Sequence, residues 1–269
     1  MSKIDISSRF NNFNKWGLIT GACGLLGQKH ALALLETGAS VVLTDIDEKL
    51  LIKTKLLLES DKYSGQIINC VMDVSSEPSI KNAFKLLLNK NIHIDILINN
   101  AALNPKMVIK GDNNFENYSL DTWNKSIEVN LTGAFLCSQV FIKKMVDANI
   151  KGVVINIASD LGVIAPDQRI YENDVKPVDY SVTKHGIIGL TKYLATYYAD
   201  KGIRINSLSP GGVYTNQSKD FVERLSKLIP MGRMADKHEY KGAVVFLCSN
   251  ASSYMNGHNL IMDGGRTVW

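Results

Sequence analysis

Seven short runs rich in Val and Ile recur along this 269-residue chain, separated by longer stretches with helical periodicity. The runs fall at residues 17–20, 40–44, 66–71, 94–98, 152–157, 203–208 and 259–262. The helical stretches lie at about 28–36, 48–58, 77–88, 122–145, 178–200 and 237–248. Strands that are apolar throughout, rather than alternating, belong to a parallel sheet covered on both faces. With right-handed crossovers the pattern predicts an α/β fold: a single Rossmann-like, doubly wound domain. Its parallel sheet has about seven strands, with helices on both faces. No repeat or low-complexity linker divides the chain. Residues 15–269 are therefore expected to form one domain behind a loose N-terminal arm, residues 1–14.

Charge and cysteine usage narrow the possible partners. Lys plus Arg total 30 against 26 Asp plus Glu, a net charge of +4. The basic residues are scattered, so no nucleic-acid surface is expected. Cys23, Cys70, Cys137 and Cys248 are far apart and form no C-x-x-C pair. The last three sit in apolar stretches and read as small buried hydrophobes in a reducing compartment. The first fifteen residues are polar, which argues against a signal peptide. No run approaches the roughly 18 apolar residues of a membrane span. A cytoplasmic protein without membrane partners is expected, and nothing suggests a metal site.

Thr20-Gly21-Ala22-Cys23-Gly24-Leu25-Leu26-Gly27 joins the first strand to the first helix. Glycines there let the backbone turn tightly and approach a pyrophosphate at the helix N-terminus, although such turns often only join strand to helix. Asp45 ends the second strand, 18 residues beyond Gly27 (45 − 27 = 18). A carboxylate there can accept from both ribose hydroxyls of NAD and repels a 2′-phosphate. Asp45 or Asp47 could instead cap the next helix. Asp73 could receive an adenine amino group or cap the helix beginning near Ser75.

Tyr180 and Lys184 lie four apart, so on a helix the phenol and the ammonium share a face. A free tyrosine titrates near pH ~10. A cation about 4 Å away favours the phenolate by roughly 4 kcal/mol at an effective dielectric of about 20. The spacing therefore offers a general acid/base near neutral pH.

With these residues in order, the chain resembles the short-chain dehydrogenase/reductase family over nearly its whole length. Asn99-Asn100-Ala101-Ala102 is similar to the family's Asn-Asn-Ala-Gly, with Ala102 in the glycine position. Asn130, Ser159, Tyr180 and Lys184 match its catalytic set, and Pro210-Gly211 with Thr215 its nicotinamide segment. Asp263-Gly264-Gly265 is typical of the shorter branch. The resemblance implies that Tyr180 exchanges the substrate proton while Lys184 lowers its pKa and binds the nicotinamide ribose. It implies that Ser159 donates to the substrate oxygen and that Asn130 holds a water leading to Lys184. It also implies NAD, with NADP disfavoured by Asp45. The cofactor would be held by Gly21, Gly24, Leu26, Gly27, Asp45, Asp73, Val74, Asn100, Ala101, Tyr180, Lys184, Pro210, Gly211, Val213 and Thr215. Family members often associate through the helices after the fourth and fifth strands, so a homodimer or homotetramer is expected.

Two features depart from the shorter branch. The glycines are spaced Gly-x-x-Gly-x-x-Gly, a spacing that resembles the extended branch, yet too little chain follows Pro210 for that branch's larger substrate domain. Ser159 and Tyr180 are 21 residues apart (180 − 159 = 21), where about a dozen is usual. The extra loop is polar and precedes the catalytic helix, so Gln168, Arg169 and Tyr171 are substrate-contact candidates. Lys106, Arg169 and Lys176 could meet an anionic group or be merely solvated. The loop and the ending Asp263 to Trp269 resemble oxidoreductases of bacterial surface-sugar pathways, including flagellin-modification enzymes. That resemblance implies a sugar or nucleotide-linked sugar substrate. The alternatives are a 3-oxoacyl-carrier-protein reductase-like enzyme and an NAD-responsive, non-catalytic binding protein.

Overall fold

A computed structural model describes residues 5–104, 115–172 and 175–269, and the backbone of 107–108 and 174. Nine strands and eight α-helices are described. The first part of the chain runs β1 (Trp16–Thr20), α1 (Leu25–Glu36), β2 (Ser40–Asp45), α2 (Glu48–Leu58), β3 (Ile67–Val71), α3 (Glu77–Asn89) and β4 (Ile96–Asn99). Next come β5 (Met107–Val108), α4 (Leu120–Ile127), α5 (Gly133–Asp147), β6 (Val153–Ile157), β7 (Asp174–Val175) and α6 (Val178–Tyr197). The chain finishes with β8 (Arg204–Pro210), α7 (Lys219–Lys227), α8 (Lys241–Cys248) and β9 (Asn259–Met262). Seven strands form one sheet in the order β3-β2-β1-β4-β6-β8-β9, and every pairing in it is parallel.

Alternate residues of each strand feed two cores. Ile19, Val41 and Leu43 pack with α1, α2 and α8, whereas Leu18, Val42 and Leu97 pack with α3, α5 and α6. The continuous apolar runs are thus explained: both faces of the sheet are dry. The strand order reverses between β1 and β4, and the loops leaving the two strands diverge there to open a crevice. Thr20 closes its floor: its hydroxyl accepts from the amides of Asn100 (2.9 Å) and Ala101 (3.0 Å).

The expected helix over 122–145 is two α-helices joined by a π-turn, Glu128–Thr132. Asn130 lies inside that turn and bonds to Leu103 rather than continuing a regular face. The first helix starts three residues earlier than expected, at Leu25, and the last one starts late, at Lys241. Helix α7, short and largely polar, and the antiparallel pair β5–β7, two residues a strand, leave too little periodicity to read in the sequence. The arm is tied down at its end: Asn12 is buried and donates to the carbonyl and the hydroxyl of Thr37. All four cysteines are free. None of the described helices is long and apolar enough to cross a membrane.

The last seven residues turn back beneath β6. Gly264 and Gly265 take left-handed conformations, and Asp263 accepts from the amides of Gly265 and Thr267. The turn delivers Arg266 to Asp160, with which it forms an almost fully buried ion pair at 2.7 Å. Breaking a buried pair leaves one charge without a partner. Asp160→Asn or Arg266→Met is expected to cost about 3–5 kcal/mol in urea unfolding, and the double variant less than the sum.

His30 on α1 is fully buried, and neither ring nitrogen has a partner. Burial pushes its pKa down from 6.5 to about 4. Its pKa is lower folded than unfolded, so the unfolded chain binds the extra proton as pH falls from 6.5 to 4. Stability is unaffected above that window and falls within it by about 3 kcal/mol. His30→Leu is expected to flatten this slope in denaturant melts compared at acid and neutral pH.

Candidate active site

A cleft of about 1520 Å³ opens at the C-terminal ends of β1, β2, β4, β6 and β8. It has a long arm across the glycine turn and a second arm under the loop that precedes α6.

In the first arm, Gly21 has φ +60°, and a Cβ there would stand 2.8 Å from the Ala101 Cα. A side chain is therefore excluded where β1 and β4 approach each other. Gly24 caps α1, which has no side-chain N-cap, so the first helical amides face the cleft beside Leu25 and Leu26. Gly27 is buried behind this surface and does not line it; a Cβ there would collide with the Gly21 carbonyl. Asp45 lines the cleft, its carboxylate fixed by the amides of Cys23 (3.1 Å) and Ile46 (2.9 Å). The helix-capping task falls to Asp47, which accepts from Leu50. Asp73 likewise lines the cleft and bonds Ser75, whereas Ser76 caps α3. Val74, Asn100, Ala101, Pro210, Gly211, Val213 and Thr215 complete this wall. Anion-seeking amides, an apolar slot and a carboxylate at the far end fit a dinucleotide.

In the second arm, Ser159 follows β6 and caps the 3-10 turn Asp160–Gly162, and Tyr180 and Lys184 project from α6. The helix spacing brings the last two to one side, but they do not pair directly. The β6 carbonyl of Ile157 captures the Lys184 ammonium at 2.7 Å, 5.6 Å from the Tyr180 ring centroid. Burial pushes the Tyr180 phenol up to about 12, with the Asp160 carboxylate adding to the rise; the Ser159 hydroxyl beside it works the other way. Burial holds Lys184 down at about 8, helped by the Lys176 ammonium. Burial is the largest influence on the Tyr180 phenol here, against the lowering expected from Lys184. Asn130 is buried and does not line the cleft. Its amide donates to Leu103 O (2.9 Å) and Thr183 Oγ1 (3.3 Å), and its oxygen accepts from Leu103 N (2.6 Å).

The loop candidates divide. Tyr171 lines the cleft and packs on Phe221 of α7. Gln168 and Arg169 do not reach it. Gln168 clamps the backbone of Lys176, and exposed Arg169 is paired with Asp167 at 2.7 Å. Both are consumed in folding the loop, which composition could not reveal. Lys106 lies outside the described residues. Asp160, Arg266, Arg224 and Asn104 also line this arm and went unrecognised in the sequence. The Asp-Gly-Gly-Arg ending held the only signal for Arg266.

The chain matches the family model described as enoyl-(acyl carrier protein) reductase over residues 21–267. It is 33% identical to the 3-oxoacyl-[acyl-carrier-protein] reductase FabG of Aquifex aeolicus, covering 93% of this chain and 96% of that one. It is 31% identical to post-translational flagellin modification protein A of Campylobacter coli, covering 94% and 98%. Among solved structures, a short-chain dehydrogenase from Leptospira borgpetersenii with bound NAD+ superposes with a TM-score of 0.82 at 35% identity, covering 99% and 97%. A gluconate 5-dehydrogenase from Burkholderia cenocepacia in complex with NADP and tartrate gives 0.87 at 28%, covering 98% and 100%. These bound cofactors show a nicotinamide dinucleotide in the same fold. Cleft, strand order and sequence together make this chain a member of the short-chain dehydrogenase/reductase family, an oxidoreductase acting on alcohol and ketone groups.

Proposed function

We propose that the protein is an NAD-dependent dehydrogenase/reductase whose substrate is a secondary alcohol or ketone of a sugar or nucleotide-linked sugar, in surface-glycan biosynthesis. The observation that carries the cofactor choice is Asp45, whose carboxylate is fixed by backbone amides where a ribose ends. A 2′-phosphate beside that carboxylate would meet like charge. The likeness to a flagellin modification protein and a gluconate dehydrogenase supports the sugar class. So does the polar mouth formed by Asn104, Tyr171 and Lys176.

The nicotinamide supplies hydride chemistry when bound; the chain's residues supply everything else. Gly21, Gly24 and the α1 amides hold the pyrophosphate, and Pro210, Gly211, Val213 and Thr215 flank the nicotinamide end. Tyr180 Oη takes the proton of the substrate hydroxyl, or returns one to the carbonyl in reduction. Ser159 Oγ, which donates to Asp160 Oδ1 at 2.8 Å, turns its proton to the same substrate oxygen as charge grows there. Lys184 holds the ribose and a positive charge behind the phenol. Asn130 acts indirectly, bracing the Leu103 wall and Thr183 one residue before Lys184.

The FabG relative favours a second reading, reduction of a 3-oxoacyl thioester. Asp45 and the loop folded over the mouth weigh against it. A purely NAD-responsive binding protein would have no need of Ser159, Tyr180 and Lys184 in one cleft. Helices α5 and α6 leave Phe135, Val182, Tyr193 and Tyr197 exposed, which supports a homodimer or homotetramer. Four free cysteines, three of them buried, support a cytoplasmic location.

Absorbance of the reduced cofactor, followed with polyols, keto-sugars and acyl thioesters, tests these readings. Turnover is expected with NAD(H) and a sugar-class compound, and Tyr180→Phe is expected to lower kcat by about 10²–10⁴ with NAD affinity kept. A wild type that prefers NADPH, or a fully active Tyr180→Phe, would contradict the reading. Asp45→Ala is expected to erase most of the preference for NAD over NADP. Light scattering is expected to give the mass of two or four chains.

A further inference from the structure

Tyr180 is half-buried and takes no direct bond from Lys184, yet a second ammonium stands over its ring. The Lys176 Nζ stands 3.8 Å from the Tyr180 ring centroid, nearer than the Lys184 Nζ at 5.6 Å. Nothing local to residue 176 requires this. The ammonium is held by Asn104 Oδ1 at 2.6 Å, on the loop after β4. The backbone of Lys176 is held at both ends by one side chain: its amide donates to Gln168 Oε1 (2.8 Å), and its carbonyl accepts from Gln168 Nε2 (3.3 Å). Gln168 sits on a short 3-10 turn, Gln168–Tyr171, which Asp167 caps. The unusually long segment between Ser159 and Tyr180 thus ends in a device that sets one lysine over the catalytic ring.

The surrounding charges show what this lysine lacks. Arg266 is matched by Asp160 and Arg224 by Glu172. Asp179 accepts from the Tyr118 hydroxyl at 2.7 Å. Asp160 and Asp179 favour the charged form of Lys176 from a distance, but no described carboxylate forms an ion pair with it. Burial holds Lys176 down at about 8, and Lys176 in turn lowers Lys184. Two ammonium groups that repel each other beside one phenol are both relieved when that phenol ionises.

We propose that Lys176 is a second cation of the acid/base centre, presented by the loop over the ring of Tyr180 so that two cations, not one, stabilise the phenolate. The inference rests on Tyr180 being the group that exchanges the substrate proton. Lys176 acts through Tyr180 and is a positioning residue. A cation over an aromatic face is attracted to the ring, and more strongly once the ring carries negative charge. The sequence hint that Lys176 might meet an anion is thereby given a specific anion, the enzyme's own tyrosinate.

The full-length protein with NAD+ bound, carrying 13Cζ-labelled tyrosine, gives a direct test that needs no substrate. Tyr180 is assigned by loss of its resonance in Tyr180→Phe and titrated in the wild type, Lys176→Met and Lys176→Arg. The expected result is a Tyr180 midpoint at least about one pH unit higher in Lys176→Met, and within about half a unit of wild type in Lys176→Arg. Asn104→Ala, which frees the ammonium without removing it, is expected to move the midpoint the same way by less, and keeps the test open if Lys176→Met does not fold. The pH limb of kcat/KM is expected to follow the same shifts. An unmoved midpoint in Lys176→Met overturns the proposal. So does a variant whose only change is a higher KM for anionic substrates, since Lys176 would then be a substrate contact. If Tyr180→Phe remains active, the proposed chemistry fails while the titration still reports on Lys176, so the two failures are distinguishable.

Discussion

The bonds from the amides of Asn100 and Ala101 to the Thr20 hydroxyl hold together the place on which all the rest depends. They tie β1 to β4 where the strand order reverses, and the Asn100 side chain adds bonds to the carbonyls of Thr20 and Gly21. Every strand of the main sheet is parallel, so all their C-terminal loops emerge on one edge. At the reversal the loops part, and only there can a long ligand lie across the sheet. Gly21 is glycine for the same reason: a side chain would fill the gap that these bonds define.

Electrostatics in the second arm of the cleft follow from partial burial. Burial alone pushes the Tyr180 phenol up and the Lys176 and Lys184 ammonium groups down, opposite to what proton transfer near neutral pH needs. A site like this works only if opposite charges meet one another in the functional complex. The fold places two ammonium groups near the Tyr180 ring, and spends Asp160 on Arg266 and on the Ser159 hydroxyl, which donates to it at 2.8 Å. The C-terminal tail is thereby part of the active-site wall rather than an appendage.

Much of this could be read from residue order. The seven apolar runs correspond to the seven strands of the main sheet, because dry strands must be apolar on both faces. Asp45 and the glycine turn could be placed because each ends a strand of known position. The loop contacts were not legible: Gln168 and Arg169 look like surface ligands in a polar stretch, and only folding commits one to the Lys176 backbone and the other to Asp167. The π-turn at Asn130 was equally hidden, since a side chain that bonds a distant loop leaves no trace in helical periodicity.

The sequence by itself determined the class of fold, the edge of the sheet that carries the cleft, and the residues proposed to exchange a proton there. These depend on local periodicity and on spacing along one helix or one turn, which chain order preserves. Tertiary structure alone decided which charges meet. It sent Lys184 to the carbonyl of Ile157, Arg266 across 106 residues to Asp160, and Lys176 over the ring of Tyr180. Electrostatic energy depends on distance in space and on the water removed, and neither quantity is written in the order of residues.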